Sequence, residues 1–325
     1  MLWYLNDFLK KSWRRDHYED DLFKIDRLET RYDLPTDFNS VENVFQKIKG
    51  LNYKLEAKHD FLRGIIKNYR DYKWVDIEYE YYMTLVGLYK ELELNPHIRN
   101  SILKQLLQLN SCFDSIKKKL VEYLRTIEIT SNLENRRIES ILLEGTEPER
   151  KGKGEKLFVN FNYTKTLEFY TNRNFRTKNN LINIHGELVN LSHPIIFGYG
   201  DEMDPNYERI ENLNNNEFLK NIKSFGYFQS SNYQDIIRFI DSENFTVKIL
   251  GHSCGLSDRI LLNTIFEHPN CKAIKIYYYQ KSETENDYFE KTQEISRHFK
   301  ASGKGNMRTK IVPFEKCQPL LPYKL

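Results

Sequence analysis

The sequence predicts an α/β domain with a mostly parallel sheet, preceded by a large helical region. Three observations carry this. Only Gly50, Gly64, Gly87 and Gly145 precede position 150, whereas ten glycines follow it. In the first part, apolar residues recur every three or four positions, the stripe of amphipathic helices. In the second part, short apolar runs alternate with helical patterns, as buried strands joined by helices do. The helical region is placed at residues 1–145 and the α/β domain at 146–325.

The 325 residues are enough to bury a sizeable core. At 40% apolar and 29% charged, the composition is that of a globular chain rather than a disordered one. Lys and Arg number 49 against 46 Asp and Glu, so the charge of +3 supplies no long-range basic field for nucleic acid. The 22 Tyr and 20 Phe accompany abundant Lys, Ile and Asn, and read as compositional bias rather than a base-stacking surface. No stretch is apolar enough for a membrane helix, and Met1–Asp20 is charged where a signal peptide needs its apolar run. A cytoplasmic protein is expected. Cys112, Cys254, Cys271 and Cys317 form no Cys-x-x-Cys pair, which points to reduced, mostly buried thiols.

Along the chain, helices are expected at Asn39–Lys49, Val75–Glu93 and Ser101–Arg125. In the third, Ile102, Leu106, Leu109, Phe113, Ile116, Leu120 and Tyr123 recur every three or four positions, and Asn100 or Ser101 can cap the start. Asp76, Glu78 and Glu80 lie two apart, cannot share a helical face, and read as solvated acids. Glu144–Lys156 is polar and glycine-containing, an exposed loop. Strands are then expected at Leu157–Asn160, Leu181–Ile184, Ile195–Gly198, Thr246–Leu250, Ala273–Tyr279 and Lys310–Pro313. Helices are expected at Thr164–Tyr170, Tyr233–Ile240, Ser257–Glu267 and Glu285–Phe299.

Ligands of open parallel sheets sit outside the carboxyl ends of the strands, so those ends hold the candidate chemistry. The first reads Asn160-Phe161-Asn162-Tyr163-Thr164: Asn162 faces the crevice, and Thr164 can cap a helix whose amides favour an anion. Ordinary capping explains it equally well. The second, Ile184-His185-Gly186-Glu187, puts an imidazole suited to proton transfer beside a glycine that admits a ligand, although a lone histidine is more often structural. The third, Phe197-Gly198-Tyr199-Gly200-Asp201-Glu202, offers two glycines and two carboxylates for a ribose, or an exposed turn. In the fourth, Gly251-His252-Ser253-Cys254-Gly255-Leu256-Ser257-Asp258, small residues permit close approach to sugar or phosphate. Together the four ends favour a nucleotide-type site.

Other chemistries are weaker. His185, His193 and His252 have no helical His-x-x-x-His spacing or carboxylate cluster for a metal. Ser253 in Gly-His-Ser-Cys-Gly matches a nucleophile elbow, with His268 or His298 as base, but Asp258 is too near in sequence for the expected acid. No phosphate-loop motif of the P-loop ATPases occurs.

Taken in order, the segments at Asn160–Thr164, Ile184–Glu187, Phe197–Gly200 and Gly251–Asp258, with Trp74-Val75-Asp76-Ile77-Glu78 upstream, resemble the AbiH family of bacterial abortive-infection proteins. The resemblance spans Trp74–Tyr279. It implies a Rossmann-like, sirtuin-like fold for the C-terminal part and an antiphage role. It further implies NAD as substrate, with Asn162 positioning water and His185 orienting or deprotonating a hydroxyl at the nicotinamide–ribose bond. Asn160, Tyr163, Thr164 and Gly186 would then line the nucleotide with Gly198 and Gly200. Gly251, His252 and Ser253 would contact the adenosine side, Asp258 would also bind the nucleotide, and no metal is implied.

Members of that family open with a strand and Gly-Asn-Gly-Phe-Asp. This chain starts Met1-Leu2-Trp3-Tyr4-Leu5 and has no glycine before Gly50, so the first strand and its loop are expected to be missing, through a start downstream of the true one or through degeneration. A sirtuin deacylase is disfavoured because its zinc cysteines have no counterpart. A non-catalytic nucleotide-sensing or protein-interaction module stays open, as does a nuclease or Ser253-dependent toxin. The expected partners are a nucleotide and a phage-derived trigger, with oligomers open. Neither membrane nor nucleic acid is indicated.

Overall fold

The computed structural model describes residues 7–11, 17–27, 44, 53–67, 74–128, 135–144, 155–174, 181–190 and 192–323. The chain start at Met1–Leu5 and most of the expected helix Asn39–Lys49 lie outside them, as does most of the loop Glu144–Lys156. The chain divides into two compact units, Met1–Ile127 with Pro205–Asn221, and Glu128–Asp204 with Ile222–Leu325.

The first unit combines its helices with a small sheet. Its strands β1 (His17–Glu19), β2 (Phe23–Arg27) and β3 (Tyr53–Ala57) pair antiparallel in that order. The alternation in Phe-Lys-Ile-Asp-Arg and Tyr-Lys-Leu-Glu-Ala carries this sheet, a period-2 signal outside the helical expectation. Helices α1 (Asp60–Lys67), α2 (Trp74–Leu94) and α3 (Arg99–Arg125) follow. The expected apolar face of α3 is buried at Ile102, Leu106, Leu109, Phe113, Ile116 and Leu120, and Tyr123 at its end is half-buried. It meets α2 where the Phe113 and Tyr81 rings lie 4.2 Å apart.

Two local expectations fail here. A 3₁₀ turn at Pro96–Ile98 runs directly into α3, so Asn100 and Ser101 fall within its first turn and no side chain caps it. Glu78 is buried rather than solvated, on a helix that also buries Ile77, Tyr81 and Tyr82. The unit is completed by the short helix Pro205–Glu211 and a 3₁₀ turn at Asn216–Phe218, where Asn110 of α3 donates to both the carbonyl and the carboxylate of Glu217 at 2.9 Å.

The second unit begins with α4 (Arg136–Leu143), capped by Asn135, whose side chain accepts from the amides of Arg137 and Ile138. Strands β4 (Phe158–Asn160) and β5 (Leu181–Asn183) pair in parallel, separated by α5 (Thr166–Asn174). Next come α6 (Lys223–Tyr227), α7 (Asn232–Ser242), β6 (Phe245–Leu250), α8 (Arg259–Glu267), β7 (Cys271–Tyr278), α9 (Tyr288–Arg297), α10 (Lys304–Lys310) and β8 (Gln318–Pro319). Strands β6, β7 and β8 form a second parallel sheet in that order. One core serves both sheets: Ile182 and Ile184 pack with Ile249, Ile274, Ile276 and Phe266.

The second unit is therefore α/β with parallel pairing, but in two small sheets rather than one continuous sheet among the described residues. Ile195–Gly198 forms no strand: Ile196 gives its amide to the His185 carbonyl, and beyond it Tyr199 makes a single bridge, to Ile222. Lys310–Pro313 is likewise reduced to a single bridge from Ile311 to Ile274, and β8 takes the place beside β7. Helix α10 ends at Lys310, which leaves too little extended chain there for a strand. Among the described residues, no helix is long and apolar enough to cross a membrane. Cys112, Cys254, Cys271 and Cys317 are all free thiols, and the first three are buried.

Candidate functional site

Strand β4 ends at Asn160, a buried amide that organises the turn beyond it. Its oxygen accepts the Asn162 amide at 3.0 Å, while its nitrogen donates to Asn183 Oδ1 at 2.8 Å and to the Thr164 carbonyl at 3.4 Å. The ends of β4 and β5 are thus tied by a side-chain bridge. Asn162 is exposed at the apex of this turn. Thr164 does not directly precede the helix: α5 starts at Thr166, and the two hydroxyls lie 3.0 Å apart. The Tyr163 hydroxyl donates to the Ile196 carbonyl at 3.1 Å.

Just past β5, His185 is buried with both ring nitrogens facing oxygen. Nδ1 lies 3.1 Å from the Phe161 carbonyl and Nε2 lies 2.9 Å from Oδ1 of Asp258. The rings of Phe161 and Tyr163 flank it at 5.3 and 5.9 Å. Gly186 has φ +78°, and a Cβ there would sit 2.2 Å from the Pro194 carbonyl oxygen. The absence of a side chain at Gly186 lets the Pro194 backbone pack against it.

Strand β6 ends in a turn with two left-handed residues, Gly251 at φ +71° and Cys254 at +57°. Within it, His252 Nδ1 accepts the Cys254 amide at 3.0 Å, which leaves the proton on Nε2, 3.5 Å from Oδ2 of Asp258. Phe161 also packs on His252, with ring centroids 4.1 Å apart. Gly251 is exposed, and its nearest neighbour would be a Leu320 methyl at 3.6 Å. Ser253 is half-buried.

Asp258 is the hub. Besides the two imidazoles it holds the Lys223 ammonium, 2.8 Å from Oδ1, and Lys223 also reaches Ser257 Oγ at 3.3 Å. The Lys223 side chain is 1% exposed and that of Asp258 7%. Gly200 makes this possible, since a Cβ there would stand 3.0 Å from the Ser257 carbonyl and 3.2 Å from the Lys223 Cβ. Burial opposes ionisation of Asp258, yet Lys223 and the imidazoles hold its carboxyl well below the usual range. Burial, and then Lys223, push the His185 imidazole below its ordinary value against the pull of Asp258. The arrangement can fix an uncharged imidazole next to a permanent carboxylate, the setting in which a histidine takes up a proton.

Of the other residues singled out in the sequence, Gly198 is buried. Asp201 is 2% exposed and binds Arg259 Nη1 at 2.9 Å, while burial raises its carboxyl; Glu202 is exposed. His193 stands apart from the two clustered histidines, its backbone carbonyl accepting the Glu187 amide. Neither candidate base is on Ser253. His268 Nε2 meets Asp241 Oδ1 at 3.0 Å and its Nδ1 the Asn270 amide at 3.2 Å. His298 Nε2 meets the Cys254 carbonyl at 2.8 Å, and its Nδ1 is buried without a hydrogen bond.

Sequence reasoning missed Lys223. It follows a single apolar residue, Ile222, in a five-residue helix with no motif, and lysine is ordinarily a surface residue. No local signal marks it.

A family model described as bacteriophage abortive infection AbiH matches residues 27–280. No curated protein and no solved structure matches. The match takes in every element of the His185–Lys223–Asp258 cluster and well over half of the chain, and on that ground the protein belongs to the AbiH family of bacteriophage abortive infection.

Proposed function

We propose that the protein acts in abortive infection by hydrolysing the nicotinamide–ribose bond of NAD at the strand ends around His185. The observation that supports this reading is the buried His185–Asp258 pair, whose imidazole is flanked by aromatic rings and meets the carbonyl of Phe161, the residue before the exposed Asn162. Cleavage of that bond builds positive charge on the ribose carbon while nicotinamide leaves with the bonding electrons. Water supplies the new carbon–oxygen bond, and its proton must go to a base.

In this reading Asn162 holds the water by its side-chain amide, and His185 receives the proton. Asp258 orients the imidazole through its Nε2, and Phe161 and Tyr163 limit the water around it. The exposed, left-handed Gly251 supplies a place where a phosphate can come close to the backbone. Asn160, Asn183 and Gly186 support the walls rather than touch the substrate.

The test is intracellular NAD after phage challenge in cells carrying the full chain, Asn162→Ala or His185→Ala, together with nicotinamide release by the purified protein. NAD loss with the wild type alone supports the reading. Protection at unchanged NAD refutes it and favours a nucleotide-sensing module.

A further inference from the structure

The Lys223 ammonium is buried against the same carboxylate oxygen that meets His185, at 2.8 and 2.9 Å. A buried cation in this position must have a use or be a liability, since taking it out of water is unfavourable. The charge count in the cluster says what that use is. Asp258 and Lys223 together are neutral, so a proton added to His185 would leave an unbalanced positive charge in a site almost closed to water. Without Lys223, the same proton would balance Asp258.

We propose that Lys223 is a positioning residue of this site: its buried ammonium fixes the Asp258 carboxylate against His185 and, by balancing that carboxylate, keeps His185 an uncharged imidazole able to accept a proton. The inference rests on the reading of His185 as the proton acceptor. The groups facing the ring are Asp258 and Lys223, the half-buried His252 on the other carboxylate oxygen, the Tyr163 ring and the Phe161 carbonyl. An uncharged imidazole has one N–H for two oxygen acceptors, Phe161 O and Asp258 Oδ1. One ring nitrogen therefore keeps its lone pair facing an oxygen, and the ring is one proton short of satisfying both. Arg259 does not perturb this balance, because it is paired with Asp201.

The test uses the full chain with 15N-labelled histidine rings, with the His185 signal assigned by its loss in His185→Gln. The titration of the ring is followed by NMR in wild type, Lys223→Met, Lys223→Gln and Lys223→Arg. The expected result is an uncharged His185 at about pH 7 in wild type and Lys223→Arg. In either uncharged variant, a midpoint raised by about one pH unit or more is expected. A charged His185 at about pH 7 in the wild type overturns the proposal, and so does an unmoved midpoint in a folded uncharged variant. If neither uncharged variant folds, the wild-type charge state decides. Nicotinamide release is scored separately, so absence of NAD turnover with the expected titration removes the substrate reading and leaves the role of Lys223 standing.

Discussion

Nε2 of His185 lies 2.9 Å from Oδ1 of Asp258, joining the end of β5 to the start of α8 across 73 residues of chain. The same oxygen receives the Lys223 ammonium at 2.8 Å. Asp258→Ala therefore leaves a buried ammonium without its counter-ion. Removing one partner of a buried pair costs about 3–5 kcal/mol. Urea denaturation at neutral pH should show a loss of that size; a loss below about 1 kcal/mol would mean that Lys223 finds water.

Acid should destabilise the second unit through His298. Burial pushes this imidazole down to about 4, so between about pH 6.5 and 4 the unfolded chain binds a proton that the folded chain refuses. Stability is then lost as pH falls, by about 2 kcal/mol from pH 7 to 5 for this one group. Asp258 adds to the loss at lower pH, below the ordinary carboxylate value. Urea midpoints measured across that range should fall, and His298→Gln, which keeps a donor for the Cys254 carbonyl, should flatten the slope.

Two left-handed glycines should respond differently to alanine. Both pay for a strained backbone, about 1 kcal/mol. Gly186→Ala also drives a Cβ to 2.2 Å from the Pro194 carbonyl oxygen, whereas Gly251→Ala meets only a methyl at 3.6 Å. Thermal unfolding should rank Gly186→Ala as the more damaging by about 2 kcal/mol or more. Equal losses would refute the packing assignment of Gly186.

In the first unit, Asn110 is 1% exposed, accepts the Tyr81 hydroxyl at 2.6 Å and donates to Glu217. Asn110→Leu strands these groups and should cost about 2 kcal/mol. Hydrogen exchange should quicken at the segment around Asn215–Asn221, whose hold on α3 is loosened. Unchanged exchange there would show that Asn110 does not anchor it.

Phage protection separates the candidate chemistries. Ser253→Ala should keep wild-type protection, because the nitrogens of His268 and His298 are directed elsewhere. Loss of protection with Ser253→Ala while His185→Ala protects would overturn the His185 reading in favour of a serine hydrolase.

Much of this was local, and therefore legible. The stripe Ile102 to Leu120 makes one face of α3 whatever else the chain does, and the β-branched runs at β6 and β7 form strands at nearly the expected bounds. The strand ends Asn160, His185 and His252 were visible because short polar segments interrupt apolar runs, and their order carried the family resemblance that the match at residues 27–280 bears out. Pairing was not legible. A strand's periodicity does not say whether Ile195–Gly198 will find a neighbour, and there the His185 carbonyl took the amide of Ile196 instead.

By itself, then, the sequence determined the family, the helical faces and the positions where chain turns away from buried strands, because each is set by residues close together in the chain. Only the tertiary structure decided that Asp258 holds two histidines, that Lys223 is buried against it, and that Asp201 is spent on Arg259. Apart from the contact of His252 with Asp258, those are meetings of side chains 35 to 73 residues apart. They depend on how strands and helices pack around one core, and no local pattern encodes the charge a side chain will find there.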